Sequence, residues 1–248
     1  MKGSDHIYGE LGKDTLVFYS GVEVCDPVPD IDLDLQTGVA ELSLYGSTAT
    51  LSLSSIENVS FSGDWGFEAW GDQNANRLDA GYGWGDFNGR VGNDLLDGGS
   101  GHDTLNGGGN DSMLGGSDND TLSGAGSNDT LNGGSGFDVL NGGTGIDTLT
   151  GFHHADDFVF APGDSSIGAG FRDVVTDFST VQGDDLDLTA FGGLTFIGQN
   201  VFSVPDQVRF IHSGGNTLVQ LNTVGNSGME MEIQLNGIVD LGAGDFVL

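Results

Sequence analysis

Eight aspartates recur at an almost constant spacing in the middle of this 248-residue chain. Neighbouring members are nine residues apart, except for one interval of eight. They are Asp94, Asp103, Asp111, Asp120, Asp129, Asp138, Asp147 and Asp156. Carboxylates at regular positions among glycines favour the binding of a hard cation such as Ca²⁺, which prefers oxygen ligands, over acid–base catalysis. Mg²⁺ fits less well because it dehydrates reluctantly and demands a tighter octahedron.

The aspartates belong to a nine-residue pattern, Gly-Gly-x-Gly-x-Asp-x-apolar-x. Residues 98–106, 133–141 and 142–150 are complete copies. Partial copies in the same frame extend the pattern to ten units between residues 71 and 159, and one of them, residues 107–114, is a residue short. A fixed repeat of this length indicates a solenoid, because a flexible linker has no reason to hold Leu or Phe at one position.

Within each unit, we expect the first six residues to form a loop and the last three a short strand. Gly at the first, second and fourth positions permits positive φ and lets backbone carbonyls point inward. Nine residues cannot close a core, so each unit makes half a turn and loops 18 residues apart stack, which brings carboxylates and carbonyls together in an oxygen-only site. The candidate ligands are the eight aspartates and Gly99, Gly101, Gly116, Gly134, Gly136, Gly143 and Gly145.

Half-turn units sort the aspartates into two columns. One column contains Asp94, Asp111, Asp129 and Asp147, and the other contains Asp103, Asp120, Asp138 and Asp156. In the short unit, the spacing Asp-x-apolar is preserved by Met113, which predicts that Met113 faces the core and that the loop is shortened. We expect the sites that use the aspartate of this unit to be weaker.

The nonapeptides resemble those of the RTX (repeats-in-toxin) calcium-binding proteins. The resemblance is specific because three complete and several partial copies share one frame. It implies a parallel β-roll with several Ca²⁺ ions between successive loops. Near the ends of the tract, Asn76 and Gly85 replace the aspartate and residues 151–159 keep only the first Gly, so we expect the end units to bind metal poorly or to act as caps.

Four segments follow from these patterns, and together they predict an all-β fold. Residues 1–17 are partial repeats, residues 18–70 an irregular solenoid section that bridges two repeat tracts, residues 71–159 the β-roll, and residues 160–248 a β-rich cap. Residues 173–178 and 183–188 of the cap alternate like strands. The cap is similar to the C-terminal domain of serralysin-type proteases and to the regulatory modules of secreted mannuronan epimerases.

Composition excludes several classes of partner. The chain has 37 acidic and 6 basic residues, a net charge of −31, so it cannot neutralise a row of phosphates; this argues against nucleic-acid binding and disfavours docking on anionic lipid. No apolar run approaches the roughly 20 residues of a membrane span. The N-terminus lacks the apolar stretch of a secretory signal. The ending, Asp245 to Leu248, resembles the uncleaved type I secretion signal of this group, which implies a type I exporter as partner and an extracellular location.

Two signatures of secreted hydrolases are missing from the sequence. There is no His-Glu-x-x-His zinc motif and no Gly-x-Ser-x-Gly nucleophile elbow. The adjacent pair His153 and His154 has no partnering Cys or His nearby and is interpreted as part of a loop. We therefore predict a non-enzymatic module that binds Ca²⁺, folds on binding it and is secreted.

Two other classes remain open. The chain starts within a repeat, so it can be the C-terminal part of a larger secreted enzyme, a serralysin-type protease, lipase or mannuronan epimerase, with its catalytic domain upstream. The second open class is an extracellular module that binds a polysaccharide or a surface. A cluster of aromatic residues could stack on sugars, although filling of wide, irregular turns is the favoured interpretation. The cluster is Trp65, Phe67, Trp70, Tyr82 and Trp84.

Overall fold

The structure is a computed structural model of the chain. It describes residues 66–223 and 229–248, and before residue 66 it describes six strands. These are β1 (Asp5–Tyr8), β2 (Thr15–Tyr19), β3 (Asp30–Asp34), β4 (Val39–Leu44), β5 (Ser47–Ser54) and β6 (Asn58–Ser62). Strand β7 (Phe67–Trp70) leads into the repeat tract.

The repeat tract contains ten strands that alternate between two sheets. They are β8 (Arg77–Asp79), β9 (Gly85–Asn88), β10 (Leu95–Ser100), β11 (Thr104–Asn106), β12 (Ser112–Ser117), β13 (Thr121–Ser123), β14 (Thr130–Ser135), β15 (Val139–Asn141), β16 (Thr148–His153) and β17 (Asp157–Val159). One sheet is ordered β7-β9-β11-β13-β15-β17 and the other β6-β8-β10-β12-β14-β16, with parallel pairing throughout. Each nonapeptide is therefore half a turn, and the parallel β-roll of the sequence analysis is confirmed.

Two files of apolar side chains fill the space between the sheets. One file is Leu78, Leu96, Met113, Leu131 and Leu149, and the other is Phe87, Leu105, Leu122, Leu140 and Phe158. None is more than 1% exposed. Burial of each such side chain contributes about 1.5–3 kcal/mol, so stacking of the turns supplies the core that no single unit could close.

The short unit keeps its strand in register. Met113 pairs with Leu96 on one side and Leu131 on the other, and it is 1% exposed, whereas Leu114 is 38% exposed. The missing residue is therefore taken from the loop, as its sequence predicted.

The loop backbone has positive φ at the second and fourth positions of the unit. Glycine fills many of these positions, but six other residues adopt the same conformation. They are Arg90, Ala125 and Phe152 at the second position, and Asp118, Ser127 and His154 at the fourth. The expectation for the first position was wrong, since no first-position Gly of the repeats has positive φ.

Replacing Ala125 with Gly should stabilise the roll. Ala125 has a φ of 69°, a conformation that costs a non-glycine residue about 1–2 kcal/mol, while the added Gly costs about 0.5–1 kcal/mol of chain entropy. We expect Ala125→Gly to gain up to about 1 kcal/mol in urea unfolding with Ca²⁺ present. The control, Ser135→Gly, lies at a third position outside the positive-φ set and should lose stability. Lower stability of Ala125→Gly than of the wild type would contradict the argument.

Both sheets continue past residue 160. The further strands are β18 (Val174–Val175), β19 (Asp185–Asp187), β20 (Thr195–Phe196), β21 (Gln207–Ser213), β22 (Asn216–Asn222), β23 (Met231–Leu235) and β24 (Phe246–Val247), with 3₁₀ turns at Thr189–Phe191 and Ala243–Asp245. Strand β18 extends one sheet beside β16, and β19 extends the other beside β17. Strands β21, β22 and β23 then pair antiparallel.

The aromatic cluster does not fill the turns in the way that the sequence suggested. Phe67 is buried, but Tyr82 is 70% and Trp84 51% exposed. Both occupy variable loop positions, where side chains point away from the core. Trp65 lies outside the described residues.

Candidate metal centre

Each column of aspartates is held together by the same hydrogen bond at every step. The backbone N–H of Asp94 donates to Oδ1 of Asp111 (2.7 Å), and the next steps of this column repeat the contact at 2.7 and 2.8 Å. In the other column, the N–H of Asp103 donates to Oδ1 of Asp120 (2.8 Å), and again the next two steps follow. Stacked carboxylates therefore belong to loops 17 or 18 residues apart, as the two-column arrangement requires.

The second carboxylate oxygen of most of these aspartates has no partner in the protein. Oδ2 is buried and accepts no hydrogen bond in seven of the eight. These are Asp94, Asp103, Asp120, Asp129, Asp138, Asp147 and Asp156. A buried carboxylate oxygen without a partner is costly, so a row of them points to a cation as the missing partner.

The first Gly of each unit leaves room for this oxygen. A Cβ on Gly133 would lie 2.5 Å from Oδ2 of Asp138, and a Cβ on Gly142 would lie equally close to Oδ2 of Asp147. Close approach of the carboxylate, and not positive φ, therefore requires Gly at this position.

Backbone carbonyls line the same loops. A Cβ on Gly101 would lie 2.8 Å from the carbonyl oxygen of Gly83, one turn earlier. For other glycines at the second and fourth positions, a Cβ would lie still closer to the carbonyl oxygen of the loop one turn earlier. These pairs of carbonyl and facing glycine are Gly99 and Gly116, Gly116 and Gly134, Asp118 and Gly136, Ala125 and Gly143, and Ser127 and Gly145. All seven candidate glycines thus lie where stacked loops bring carbonyl oxygens close to the backbone, and such oxygens are ligands that Ca²⁺ prefers.

Burial raises the pKa of the seven column carboxyls whose Oδ2 lacks a partner, and a neighbouring carboxylate of the column adds to the effect in most of them. The pKa rises to about 8 for Asp103, to about 7 for Asp120, Asp129 and Asp156, and to about 6 for Asp94 and Asp147; for Asp138 burial raises it as well. Without a cation, these groups resist ionisation. A bound divalent ion reverses that preference and favours the carboxylate form.

Side chains alone do not make a complete site. In residues 66–223 and 229–248, no three His, Cys, Asp or Glu side chains form a group that could hold a metal ion. Ca²⁺ takes 6–8 oxygen ligands, so the loop carbonyls must complete the coordination around the paired aspartates. The donor set fits Ca²⁺ and excludes a site of the His/Cys type.

Asparagines at the fifth position reinforce the stack, a role that the repeat pattern did not reveal. Oδ1 of Asn119 accepts the N–H of Phe137 (3.0 Å), and Oδ1 of Asn128 accepts that of Ile146 (2.9 Å). The fifth position varies in the sequence, so only the structure shows that an amide there ties one loop to the next.

The short unit, residues 107–114, differs from the others in that the Oδ2 atom of its aspartate accepts a hydrogen bond. The N–H of Gly109 donates to Oδ2 of Asp111 at 3.0 Å, so this oxygen already has a protein partner. Because the loop is one residue shorter, the N–H of Gly109 comes within reach of the Asp111 carboxylate, and the loop also has one backbone carbonyl fewer.

Restoring the missing residue should strengthen Ca²⁺ binding. Inserting one Gly after Gly108 gives a nine-residue unit, frees Oδ2 of Asp111 from the N–H of Gly109 and adds a carbonyl to the loop. We expect calorimetric titration to show higher affinity or cooperativity. The same insertion after Gly134, in a complete unit, should lower both. Weaker binding after the first insertion would show that the short loop is not the weak point of the column.

Two aspartates outside the nonapeptides continue the columns. The N–H of Asp147 donates to Oδ1 of Asp173 (2.8 Å), and the N–H of Asp156 donates to Oδ1 of Asp184 (3.2 Å). Sequence spacing could not find them, because they follow their partners by 26 and 28 residues. The sequence analysis predicted only strand-like alternation in residues 173–178 and 183–188, and it gave no indication that these two aspartates continue the columns.

No helix in the described part of the chain is long and apolar enough to cross a bilayer. No curated protein matches the chain. Among solved structures, the chain is similar to the R3 subunit of the Azotobacter vinelandii mannuronan C5-epimerase, with 24% identity over 74% of this chain and 78% of that one and a TM-score of 0.32.

The family model for the RTX calcium-binding nonapeptide repeat matches four segments. They are residues 1–21, 79–111, 106–140 and 132–167. The last three cover the stacked loops with the paired aspartates. The chain therefore carries RTX calcium-binding nonapeptide repeats, at residues 1–21 and 79–167.

Proposed function

We propose that the chain is a module that folds when it binds Ca²⁺ outside the cell and that has no catalytic activity of its own. One observation carries this proposal: seven buried aspartate oxygens in the roll lack any protein partner. A polypeptide with a net charge of −31 that must bury these groups gains its folded state from the ion.

The proposed sites lie at the steps between stacked aspartates. Six steps within the repeats join two aspartates. Cytosolic Ca²⁺ is too dilute to fill sites with the affinity of about 10⁻⁴–10⁻³ M that is common in extracellular modules, whereas millimolar Ca²⁺ outside the cell fills them. The chain would thus remain unfolded until export and fold afterwards.

Native mass spectrometry or calorimetry in Ca²⁺ tests the binding part of the proposal. Several ions per chain are expected, with Ca²⁺ preferred over Mg²⁺. A chain that binds no Ca²⁺ at millimolar concentration would refute the proposed function.

The C-terminus is the proposed address for a type I exporter, and it is also a strand. Phe246 is 7% exposed, pairs with Leu186 and lies 5.0 Å from Phe196, ring centroid to ring centroid. Val247 and Leu248 are 41% and 37% exposed. Truncation of all three residues would therefore remove a folded element together with any signal.

Substitution of the two exposed residues separates these roles. In a host with a type I exporter, Val247→Ser with Leu248→Ser should abolish secretion while Ca²⁺-induced folding of the purified protein is retained. Ile238→Ser, which changes an exposed apolar residue of the same region, should be secreted normally. Normal export of the double variant would show that the signal lies elsewhere.

A further inference from the structure

Asparagine followed by glycine recurs at the boundaries between the repeat units. The chain contains five Asn-Gly pairs, and four of them join the ninth position of one unit to the first position of the next. These four pairs are Asn88-Gly89, Asn106-Gly107, Asn132-Gly133 and Asn141-Gly142. The fold requires each of these glycines, because a Cβ there would lie within 2.5 Å of Oδ2 of the aspartate in the same unit.

The Asn-Gly pair is prone to an intramolecular reaction, since glycine has no Cβ to hinder its backbone nitrogen. That nitrogen attacks Cγ of the asparagine, the new N–Cγ bond forms while the Cγ–Nδ2 bond breaks, and ammonia leaves with the proton of the glycine N–H. One water molecule then opens the cyclic imide. Hydrolysis at the side-chain carbonyl gives Asp, and hydrolysis at the main-chain carbonyl gives isoaspartate, in which the backbone runs through Cβ and Cγ.

The folded roll holds the attacking nitrogen in place. The N–H of Gly89 donates to the carbonyl of Asn106 one turn later, and the N–H of Gly107 donates to that of Ser123, both at 2.8 Å. All four asparagines belong to strands, and all four glycines are buried. With the extended dihedrals of a strand, the glycine nitrogen cannot turn onto Cγ unless the pairing with the neighbouring turns is broken.

The side chains of two of these asparagines are shielded as well. Oδ1 of Asn132 and Oδ1 of Asn141 are buried, and neither accepts a hydrogen bond. Loss of ammonia and hydrolysis of the imide both need water at the reacting carbons, which burial excludes. The reaction therefore proceeds from opened strands, and its rate follows the population of the open state.

We propose that the four Asn-Gly pairs of the roll are sites of spontaneous deamidation that bound Ca²⁺ suppresses, so that a chain kept without Ca²⁺ irreversibly loses its capacity to fold. The proposal rests on the proposed function, because Ca²⁺ must control whether the roll is folded. Isoaspartate adds a backbone carbon and a negative charge at the unit boundary. The four strands concerned each pair with a strand on both sides, which leaves no slack for a longer backbone.

Peptide mapping by mass spectrometry tests the sites. The full chain is kept at mildly alkaline pH in chelator or in millimolar Ca²⁺, and Asp and isoaspartate at each pair are measured over time. In chelator all four pairs should convert, and in Ca²⁺ they should convert about 100-fold more slowly, the factor that one ion at a concentration of 100 Kd provides. Asn119 and Asn128 are controls in the same chain, because Asp follows each of them, and they should convert little in either condition.

A variant without these asparagines tests the consequence for folding. Ser123 holds the ninth position before Gly124, so Ser is the natural replacement in Asn88→Ser, Asn106→Ser, Asn132→Ser and Asn141→Ser combined. After long incubation in chelator, added Ca²⁺ should restore the full circular dichroism signal of the variant but only part of that of the wild type. If the fresh variant does not fold, the wild-type signal recovered before and after incubation, set against its isoaspartate content, decides the question.

The outcomes distinguish this inference from the proposed function. If Ca²⁺ folds the chain and the four pairs still convert equally fast with and without it, the inference is overturned and the proposed function stands. A spectrum that does not respond to chelation would overturn both. Conversion of Asn119 and Asn128 at the rate of the Asn-Gly pairs, or full recovery of wild-type chains that contain isoaspartate, would refute the inference alone.

Discussion

Removal of Ca²⁺ should unfold most of the chain. In chelator, far-ultraviolet circular dichroism should lack most of the β signal, and addition of millimolar Ca²⁺ should restore it in one cooperative transition. The cause is the set of seven buried column carboxyls whose second oxygens have no protein partner. At neutral pH each must either ionise in a poorly solvated position or take up a proton, and both options cost free energy that the bound ion recovers.

Cooperativity follows from the stacking. Each strand of the roll pairs only with the strands one turn before and after it in its sheet, so a turn gains its hydrogen bonds and its buried Leu only when its neighbours are formed. Each interior aspartate of a column likewise takes part in two steps, through its carboxylate in one and its backbone N–H in the other.

Mg²⁺ provides the control for this experiment. At equal concentration it should restore little of the signal, because loops that supply carbonyls and paired carboxylates do not form a tight octahedron. A spectrum that does not change on chelation, or equal recovery with Mg²⁺, would contradict Ca²⁺-dependent folding.

Most of what could be predicted from the sequence follows from the nine-residue repeat, because this spacing determines both which residues face the core and which aspartates stack. The position of Met113 and the two aspartate columns follow from counting, since alternation in a short strand leaves no freedom of register. The role of the first Gly could not be inferred in this way. Gly is required at this position because the aspartate carboxylate of the same unit lies against it, and this contact is known only from the folded loop.

The C-terminal part shows where counting fails. Asp173 and Asp184 occupy column positions, but the loops that lead to them are longer than those of the repeats, so their spacing carries no periodic signal. The exposure of Trp84 was missed for a related reason. Its position in the unit, the fifth, is exposed in every unit of the roll except the last, and this outweighs the general tendency of Trp to be buried.

Replacing Asp120 with Asn should change stability in opposite directions with and without Ca²⁺. Asp120 lies between Asp103 and Asp138 in its column: its carboxylate accepts the N–H of Asp103, its own N–H donates to Oδ1 of Asp138, and its charge repels both neighbouring carboxylates. Asn keeps an oxygen that can accept the N–H of Asp103 but replaces the buried anionic oxygen with an NH₂ group, which cannot bind a cation. One ion contributes about 2.7 kcal/mol at a concentration of 100 Kd, so loss of two should cost about 5 kcal/mol in saturating Ca²⁺.

In chelator, the same substitution should increase whatever residual stability the roll has. The wild-type carboxyl has its pKa raised to about 7 by burial, which means that its ionised form is disfavoured in the folded state, and the neutral Asn avoids that cost. Urea unfolding followed by circular dichroism in Ca²⁺ measures the first effect, and the β signal that remains in chelator, compared between variant and wild type, measures the second. Asp86→Asn is the matched control, because Asp86 is exposed on β9 and loses the same charge without facing a column. If Asp120→Asn and Asp86→Asn were equally stable in Ca²⁺, the column aspartates would not be the ligands, and their burial would need another cause.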